Sequence, residues 1–165
     1  MKRVYGNKDV RLVECINPRK KIYRVRYDVQ PYTNEETHED GVSYYEIEFR
    51  YRPSSEQIKQ AVINGYNSLV DEKILSGFVW QGIPVWLSTE NQFNYKAAYD
   101  LAVQTGGANL PIVFKLGDNT QPVYYKFDNI VSLSDFYMQA MTYINTCLAE
   151  GWAKKDAINW DDYKI

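Results

Sequence analysis

A serine or cysteine nucleophile of the hydrolase type needs an imidazole to take its proton, and the one histidine of the chain is His38. It lies in Thr37-His38-Glu39-Asp40, a hydrophilic run that Gly41 closes as in a turn. A solvated loop is the better explanation of this residue, so catalysis by His38 is disfavoured.

Metal and cofactor sites are not indicated either. Cys15 and Cys147 stand alone in separate predicted elements and no Cys-x-x-Cys occurs, which nearly excludes a structural zinc site and leaves a disulfide between them open. Four acidic residues offer oxygens to a hard cation but lack the spacing of a calcium loop. They are Glu35, Glu36, Glu39 and Asp40. The pair Gly106-Gly107 follows a predicted helix, whereas a phosphate cradle leads into one.

The residues therefore predict neither a metal nor a cofactor. Paired carboxylates for glycoside hydrolysis show no distinguishing spacing. A protein that is not an enzyme is favoured, with an enzyme of unrecognised type as the alternative.

The aromatic residues give the one functional hint that has a mechanism. Trp80 and Trp86 flank a tight turn on a predicted edge hairpin, and Tyr95 and Tyr99 are i, i+4 neighbours on the helix that follows. Tyr and Trp dominate the hot spots of protein interfaces, so such a cluster could form a binding or oligomer contact. The candidate binding residues are Trp80, Trp86, Tyr95, Tyr99 and Trp160. The alternative, favoured for Trp80 and Trp86, is that the rings fill the core.

Length and composition describe an ordinary folded protein. With 165 residues, 45% hydrophobic and 24% charged, the chain has the size of one domain and can bury a substantial core. Its apolar runs are far shorter than a membrane helix, and Met1-Lys2-Arg3 leads into polar sequence instead of a signal-peptide core. We expect a soluble protein, made in the cytoplasm, with no membrane partner.

The net charge of -2 conceals two opposed blocks. Residues 1–27 hold nine Lys and Arg against two Asp and Glu, whereas residues 28–48 hold seven Asp and Glu and no Lys or Arg. A basic block can be a nucleic-acid footprint, since phosphate contacts come from clustered Lys and Arg. Its residues would be Lys2, Arg3, Lys8, Arg11, Arg19, Lys20 and Lys21. Neutralisation of the two blocks across a hairpin is favoured, so nucleic acid is not an expected partner.

Strand-like segments dominate the first 53 residues. The runs Val10–Cys15 and Ile22–Val29 are separated by a segment with turn chemistry, residues 17–20, and a third run covers Tyr44–Tyr51. Apolar and charged side chains alternate in the second and third runs, so antiparallel pairing would set arginines against glutamates on one exposed face. These residues are Arg24 and Arg26 on one strand and Glu46 and Glu48 on the other.

Three helices interleaved with two short hairpins are predicted after Pro53. Ser54-x-x-Gln57 has the pattern of a capping box, and apolar residues at helical spacing continue to about Ile74. The hairpins cover residues 78–87 and 112–127. The predicted fold class is α+β, with antiparallel β-hairpins at the N-terminus followed by about three helices. Its expected parts are an N-terminal antiparallel β-region, 1–53, and an α+β domain, 54–165, packed against it.

The second and third helices carry further expectations. Ser88 and Thr89 are the cap candidates of the second helix, and its buried stripe should be Phe93, Ala97, Ala98 and Leu101. Ser132-x-x-Asp135 should cap the third, and Gly151 should end it. The tail from Trp152 onward has enough aromatic area to dock back on the domain.

Several runs between residues 74 and 160 resemble a known family. They are Leu75-Ser76-Gly77-Phe78-Val79-Trp80, Pro84-Val85-Trp86-Leu87-Ser88, Glu90-Asn91-Gln92-Phe93-Asn94-Tyr95-Lys96, Phe114-Lys115 and Glu150-Gly151-Trp152. They resemble an uncharacterised family of small proteins from phages and prophages of gut Bacteroidales, related to a phage domain of unknown function often encoded beside tail-fibre genes. The run from Glu90 to Lys96 is the most distinctive, and residues 24–32 add a weaker likeness. The resemblance implies a virion or tail-assembly component with no enzymatic role, and it carries no functional residues.

The leading hypothesis is therefore a non-enzymatic phage or prophage structural or assembly protein, associated with the virion or the tail. It would act through contacts with other phage structural proteins, and as a homo-oligomer, in the host cytoplasm during assembly and in the virion. The alternative is a carbohydrate-binding module that recognises host surface glycans through Trp80, Trp86 and tyrosine platforms.

Overall fold

The structure, a computed structural model, describes residues 2–35, 38–118 and 120–165. Antiparallel strands fill the first part of the chain and helices alternate with short hairpins in the remainder, so the predicted α+β class is confirmed. The strands are β1 (Val4–Gly6), β2 (Val13–Asn17), β3 (Ile22–Thr33), β4 (Asp40–Phe49), β5 (Phe78–Trp80), β6 (Ile83–Val85), β7 (Ile112–Gly117) and β8 (Pro122–Phe127). The helices are α1 (Ser55–Ser76), α2 (Thr89–Gln104) and α3 (Ile130–Asp156), followed by a 3₁₀ turn (Trp160–Tyr163). Within the described ranges, no helix has the length and apolar character needed to cross a membrane.

Residue contacts divide the chain into two compact units. The sheet unit is Met1–Leu69 with Ala153–Ile165, and the hairpin unit is Val70–Trp152. This division differs from the boundary expected at Pro53, because the first turns of α1 pack on the sheet through residues such as Ile58. A strand pattern that stops at a proline shows where the strands end, but it does not show which helix covers them.

The sheet unit is built on one antiparallel sheet with the strand order β1-β4-β3-β2. The register between β3 and β4 places Arg24 opposite Glu48. It also places Arg26 opposite Glu46, so the opposed charges predicted from the alternation do meet. Arg26 is buried, whereas we expected it on an exposed face. Its guanidinium can be buried because it donates hydrogen bonds to both Glu14 and Glu46.

The other face of this sheet carries the core of the unit. Its buried residues are Val25, Tyr27, Ile58, Val62, Tyr66 and Tyr163. Gly65 lets α1 approach the sheet closely, because a Cβ at that position would lie 2.4 Å from Cζ of Tyr27. Tyr163 donates its hydroxyl hydrogen to the carbonyl of Arg26 at 3.0 Å. This bond docks the C-terminal segment on the sheet.

The hairpin unit holds two two-stranded sheets, β5-β6 and β7-β8, together with α2 and most of α3. Its core consists largely of rings. The buried rings are Phe78, Trp80, Tyr95, Phe114, Phe127 and Phe136. The ring of Phe136 contacts each of the others, with centroid distances from 5.0 to 6.4 Å. Phe136 is therefore the centre of this core.

Helix α3 differs from its sequence pattern at both ends. It begins before Ser132, and Asn129 is the capping residue, since its Oδ1 accepts a hydrogen bond from the Ser132 N–H at 2.9 Å. The helix also continues past Gly151. Glycine is required there because a Cβ would lie 2.3 Å from Cγ2 of Val70. A glycine within a helical pattern can thus mark a close contact instead of a stop.

Candidate functional site

Helix α2 turns a different side to the core from the one that its pattern predicts. The buried residues are Tyr95, Ala98 and Ala102. The exposed ones are Phe93, Ala97 and Leu101, which were expected in the core. Both sets recur at helical spacing, so periodicity cannot choose between them. The packing of Tyr95 on other rings determines which side of α2 is buried. Its ring centroid lies 4.7 Å from that of Phe114 and 5.0 Å from that of Phe136.

Phe93, Ala97 and Leu101 form one apolar stripe, which we call the α2 outer face. Phe93 is 71% exposed and Leu101 is 48% exposed, with the small Ala97 one helical turn from each. A helix that is apolar on two opposite sides is usually covered on both. Large apolar side chains that lie together in solvent also mark interaction sites more often than scattered ones do. The α2 outer face is therefore the strongest candidate for a contact surface in the hairpin unit.

Two charged residues border this face by helical geometry. Lys96 and Asp100, one turn apart, form an exposed ion pair. The hydrogen bond to Asp100 raises the pKa of Lys96 above its ordinary value. An exposed pair adds little to stability. Beside an apolar stripe, however, it gives a partner helix a preferred direction of binding.

The two tyrosines of α2 have different surroundings. Tyr99 is half-buried and stacks on Tyr137, with ring centroids 4.6 Å apart and an interplanar angle of 17°. Tyr95 lies in the core, and burial raises the pKa of its phenol. Part of the Tyr99 ring remains available to a partner. The contact role expected for Tyr95 is corrected to a core role, because its ring is enclosed.

Trp80 is 1% exposed and lies within the aromatic core. Its ring contacts Tyr125 and Phe127, and its Nε1 donates a hydrogen bond to Oδ2 of Asp135 at 3.2 Å. A ring enclosed in this way cannot stack on a ligand unless the core opens. The structure thus assigns Trp80 to the core, the alternative that the sequence favoured, and removes it as a platform for protein or glycan.

Trp86, by contrast, is 50% exposed and lines a cleft of about 440 Å³, the Trp86 cleft. Asn91, Lys115 and Asp118 contribute polar groups to its lining. Nδ2 of Asn91 donates to the carbonyl of Trp86 at 2.8 Å, which holds the segment that carries the ring. The hydrogen bond from the Thr120 hydroxyl lowers the pKa of Asp118, so its carboxylate is charged at neutral pH. An exposed indole beside such groups suits a polar ligand that has an apolar face.

Trp160 belongs to the sheet unit, whereas the other four candidate residues belong to the hairpin unit. It is half-buried, its ring centroid lies 5.6 Å from that of Tyr163, and Nζ of Lys59 lies 5.5 Å from the same ring. The five aromatic candidates do not form a single exposed cluster, because Trp80 and Tyr95 are buried.

His38 and the two cysteines are groups that the sequence offers for catalysis and metal binding. His38 has a left-handed φ of 57°, and its backbone N–H donates to the carbonyl of Asn34 at 2.9 Å. Cys15 and Cys147 are both free thiols. In the part of the chain that the structure describes, no group of three His, Cys, Asp or Glu side chains is placed to hold a metal ion.

The predicted acidic loop is described in part. Met1, Glu36, Thr37 and Asn119 lie outside the described residues, so neither Glu36 of this loop nor Asn119 of the predicted hairpin 112–127 is placed. Nζ of Lys8 donates to Asp40 at 3.0 Å, and this hydrogen bond lowers the pKa of Asp40. Lys8, a cation of the nucleic-acid interpretation, is thus paired within the sheet unit.

One charged residue that the motifs do not single out is Asp28. Its carboxylate is buried and accepts hydrogen bonds from Arg3 at 2.7 Å and from Lys154 at 3.0 Å. Its φ of 51° is left-handed, at a β-bulge between Tyr27 and Gln30. Burial acts to raise the pKa of Asp28, but the hydrogen bonds and charges of Arg3 and Lys154 outweigh it and hold that pKa below its ordinary value. The available signal was an aspartate within a strand pattern, where Asp is depleted.

Comparison with protein families places most of the chain in a known domain family. The model of a domain of unknown function, DUF4376, matches residues 57–165, which cover the larger part of the chain. No curated protein and no solved structure shows a significant match.

Proposed function

The chain belongs to the family of the domain of unknown function DUF4376, and we propose that it is a non-enzymatic structural or assembly protein of a phage or prophage. It acts through protein–protein contacts in the host cytoplasm during assembly and in the virion. The observation that carries this proposal is the α2 outer face, an apolar stripe left in solvent on a helix that is already packed on its other side.

A second copy of this chain is the partner that best fits the α2 outer face. In an antiparallel pair of α2 helices centred on Ala97, Phe93 of each copy meets Leu101 of the other. The small Ala97 at the centre lets the helices approach. Lys96 of each copy then lies beside Asp100 of the other, so the ion pair within each helix can also form between copies.

The phage assignment is supported by the resemblance of the sequence. Its most distinctive run, Glu90 to Lys96, forms the first two turns of α2 and includes Phe93. The residues that carry the resemblance thus overlap the surface proposed to make the contact. This overlap favours a contact role that family members share.

Self-association is tested by light scattering and sedimentation over a concentration series. One helix face is small beside the roughly 1,200–2,000 Å² of a stable interface, so we expect a concentration-dependent dimer. Phe93→Ser and Leu101→Ser should each weaken it roughly tenfold or more. The matched control is Tyr124→Ser, an exposed aromatic on β8 in the same unit, which should leave the dimer unchanged.

The second test of the assembly function is co-purification of the protein with the neighbouring head and tail proteins of the same phage. If one of them binds the protein and Phe93→Ser abolishes this binding, the assembly function is supported, with that protein instead of a second copy as the partner at the α2 outer face. A protein that stays monomeric at every concentration and binds none of them would refute the proposal.

Binding of a host surface glycan at the Trp86 cleft is a second candidate function. The supporting observation is the half-exposed indole of Trp86 beside Asn91, Lys115 and Asp118. Titration of tryptophan fluorescence with capsule or peptidoglycan fragments should give a change that Trp86→Leu abolishes and Trp152→Leu, an exposed tryptophan of α3, does not. Tryptophan emission that does not change with any of the glycans would exclude this function.

A further inference from the structure

The arginines of this protein are confined to one stretch of the chain. All seven lie between residues 3 and 52. Four of them form ion pairs within the sheet unit: Arg3, Arg24, Arg26 and Arg50. The side chains of the other three form no ion pair or hydrogen bond with any described residue. These three are Arg11, Arg19 and Arg52.

Two of the three unpaired arginines line the same cleft of the sheet unit. Arg11 precedes β2 and Arg52 follows β4, and both lie in the wall of an open cleft of about 790 Å³. Lys164 adds a third cation from the C-terminal segment, and Tyr23 and Cys15 lie in the same wall. We call this site the arginine cleft.

The charges of the arginine cleft are not balanced by its own side chains. The side chains that line the cleft include three cations and one carboxylate, that of Asp162. Lys164 is partly satisfied by Asp161, whose Oδ1 lies 2.7 Å from its Nζ. Among the described residues, no side chain accepts a hydrogen bond from the guanidinium groups of Arg11 and Arg52. Planar sets of free donors of this kind bind oxyanions in a bidentate manner.

We propose that the arginine cleft binds a phosphate-bearing small molecule, which Arg11 and Arg52 hold by its phosphate and which the ring of Tyr23 flanks. A phosphate monoester carries close to two negative charges at neutral pH and so matches two unpaired guanidinium groups, whereas a single carboxylate leaves one unmatched. A nucleic-acid strand is disfavoured, because Arg3 and Lys8 of the basic block are already paired with Asp28 and Asp40. This site is independent of the proposed assembly function.

The position of Cys15 supplies a local reporter. It is an exposed thiol in the wall of the cleft, whereas Cys147, the other cysteine, is buried. The rate of alkylation of Cys15 by iodoacetamide, located by mass spectrometry, is measured with inorganic phosphate, AMP and glucose 6-phosphate. Sodium chloride of matched ionic strength is the reference. Phosphate compounds should slow alkylation several-fold, and stronger protection by AMP than by the free ion would identify an organic phosphate as the ligand.

Substitutions assign the protection to the two arginines. Arg11→Gln and Arg52→Gln, alone and together, should remove it, and Arg19→Gln, the unpaired arginine outside the cleft, should keep it. All three positions are exposed, and thermal midpoints check that the variants are folded. The proposal is overturned by any of three results: protection by no phosphate compound, protection that persists in the double variant, or equal protection by malonate. Stronger, salt-dependent protection by a DNA oligonucleotide would also overturn it, in favour of nucleic acid.

Discussion

The two units bury polar groups to different extents. Among the described residues, the buried charged side chains, Arg26 and Asp28, both lie in the sheet unit. The buried residues of the hairpin unit are apolar or aromatic, with Phe136 at their centre. Burial of an ion is costly unless partners surround it, whereas burial of a ring is favourable in itself. The stability of the sheet unit therefore depends on specific ionic partners, and that of the hairpin unit depends on how well its rings fill the core.

Partners of the buried ions come from distant parts of the chain. Arg26 is held by Glu14 and Glu46, and Asp28 is held by Arg3 and Lys154. Each bond fixes the position of one strand or of the C-terminal segment relative to β3. We infer that these ions make the strand register unique, and that removal of one of them destabilises the fold because its partners are left without a counter-charge.

The largest expected effect concerns the ring core. Phe136→Ala should lower the free energy of unfolding by about 3–5 kcal/mol, since it removes a ring that contacts every other buried ring of the unit and leaves a cavity. The matched control is Tyr124→Ala, at an exposed ring on β8 in the same unit, which should change that free energy by about 0.5 kcal/mol or less. Urea denaturation measures both. Equal losses in the two variants would show that the ring core is not the source of stability.

The next effect concerns the buried carboxylate. Asp28→Asn should cost about 3 kcal/mol, the low end of the range for breaking a buried pair, because Arg3 is partly exposed. Asparagine tolerates the left-handed backbone, so the variant removes the charge and retains the bulge. Asp128→Asn, at the exposed ion pair of Lys126 and Asp128 in the hairpin unit, is the control and should leave the urea midpoint nearly unchanged. A neutral result for Asp28→Asn would contradict the importance that we give to ionic partners in the sheet unit.

Acid should lower the stability of the protein partly through Asp28, a carboxylate of the sheet unit. The pKa of Asp28 is lower in the folded protein than the ordinary 3.8, so its contribution to stability is present at neutral pH and is lost as pH falls below that ordinary value through the folded pKa. Urea midpoints measured from about pH 6 to pH 2 should therefore fall less steeply in Asp28→Asn than in the parent protein. Parallel curves would show that Asp28 does not cause the acid sensitivity.

Alkali, in contrast, should act on both units. Burial raises the pKa of Tyr27 in the sheet unit and of Tyr143 in the hairpin unit to about 12. A folded pKa above the ordinary 10.0 contributes stability that is present below pH 10 and is lost as pH rises through about 12. The charge of Asp28 contributes to the raised pKa of Tyr27 but not to that of Tyr143. The part of the alkaline limb that Tyr143 causes should therefore persist in Asp28→Asn, and it is the internal reference for the acid experiment.

The smallest effect compares two helix caps, one in each unit. Ser54 and Gln57 form the predicted capping box of α1, with hydrogen bonds of 3.2 and 2.8 Å, and Ser88 caps α2 through the N–H of Asn91 at 3.2 Å. Ser54→Ala and Ser88→Ala should each cost about 1 kcal/mol. Thermal unfolding measures the two shifts. A much larger loss for one cap would identify the helix on which its unit depends.

Local patterns predicted most of the fold. Alternation of side chains predicted the hairpins and the opposition of Arg26 to Glu46, because strand period and register are set by neighbours along the chain and across one turn. Ser88, one of the two predicted cap candidates of α2, was found for the same reason. The pairing of Asp28 with Lys154, 126 residues apart, had no local signal and could not be predicted.

The candidate site was harder to predict from the sequence. Helix α2 has apolar residues on two sides, and only the rings that pack on Tyr95 decide which side is buried. Phe93 was therefore assigned to the core and Tyr95 to the surface, the reverse of their positions. The unpaired state of Arg11 and Arg52 depends on where every other charge lies, which a count of basic residues cannot give.

The division of the sheet unit between Met1–Leu69 and Ala153–Ile165 has a consequence for biosynthesis. The hairpin unit is one continuous stretch, Val70–Trp152, and its contacts are complete once that stretch has left the ribosome. The sheet unit is completed later, because Lys154 and Tyr163, which supply a partner of Asp28 and a part of the core, are made after the hairpin unit. During translation the first strands thus lack part of their core until Ala153–Ile165 has been made, and their surface is open to chaperones during that interval.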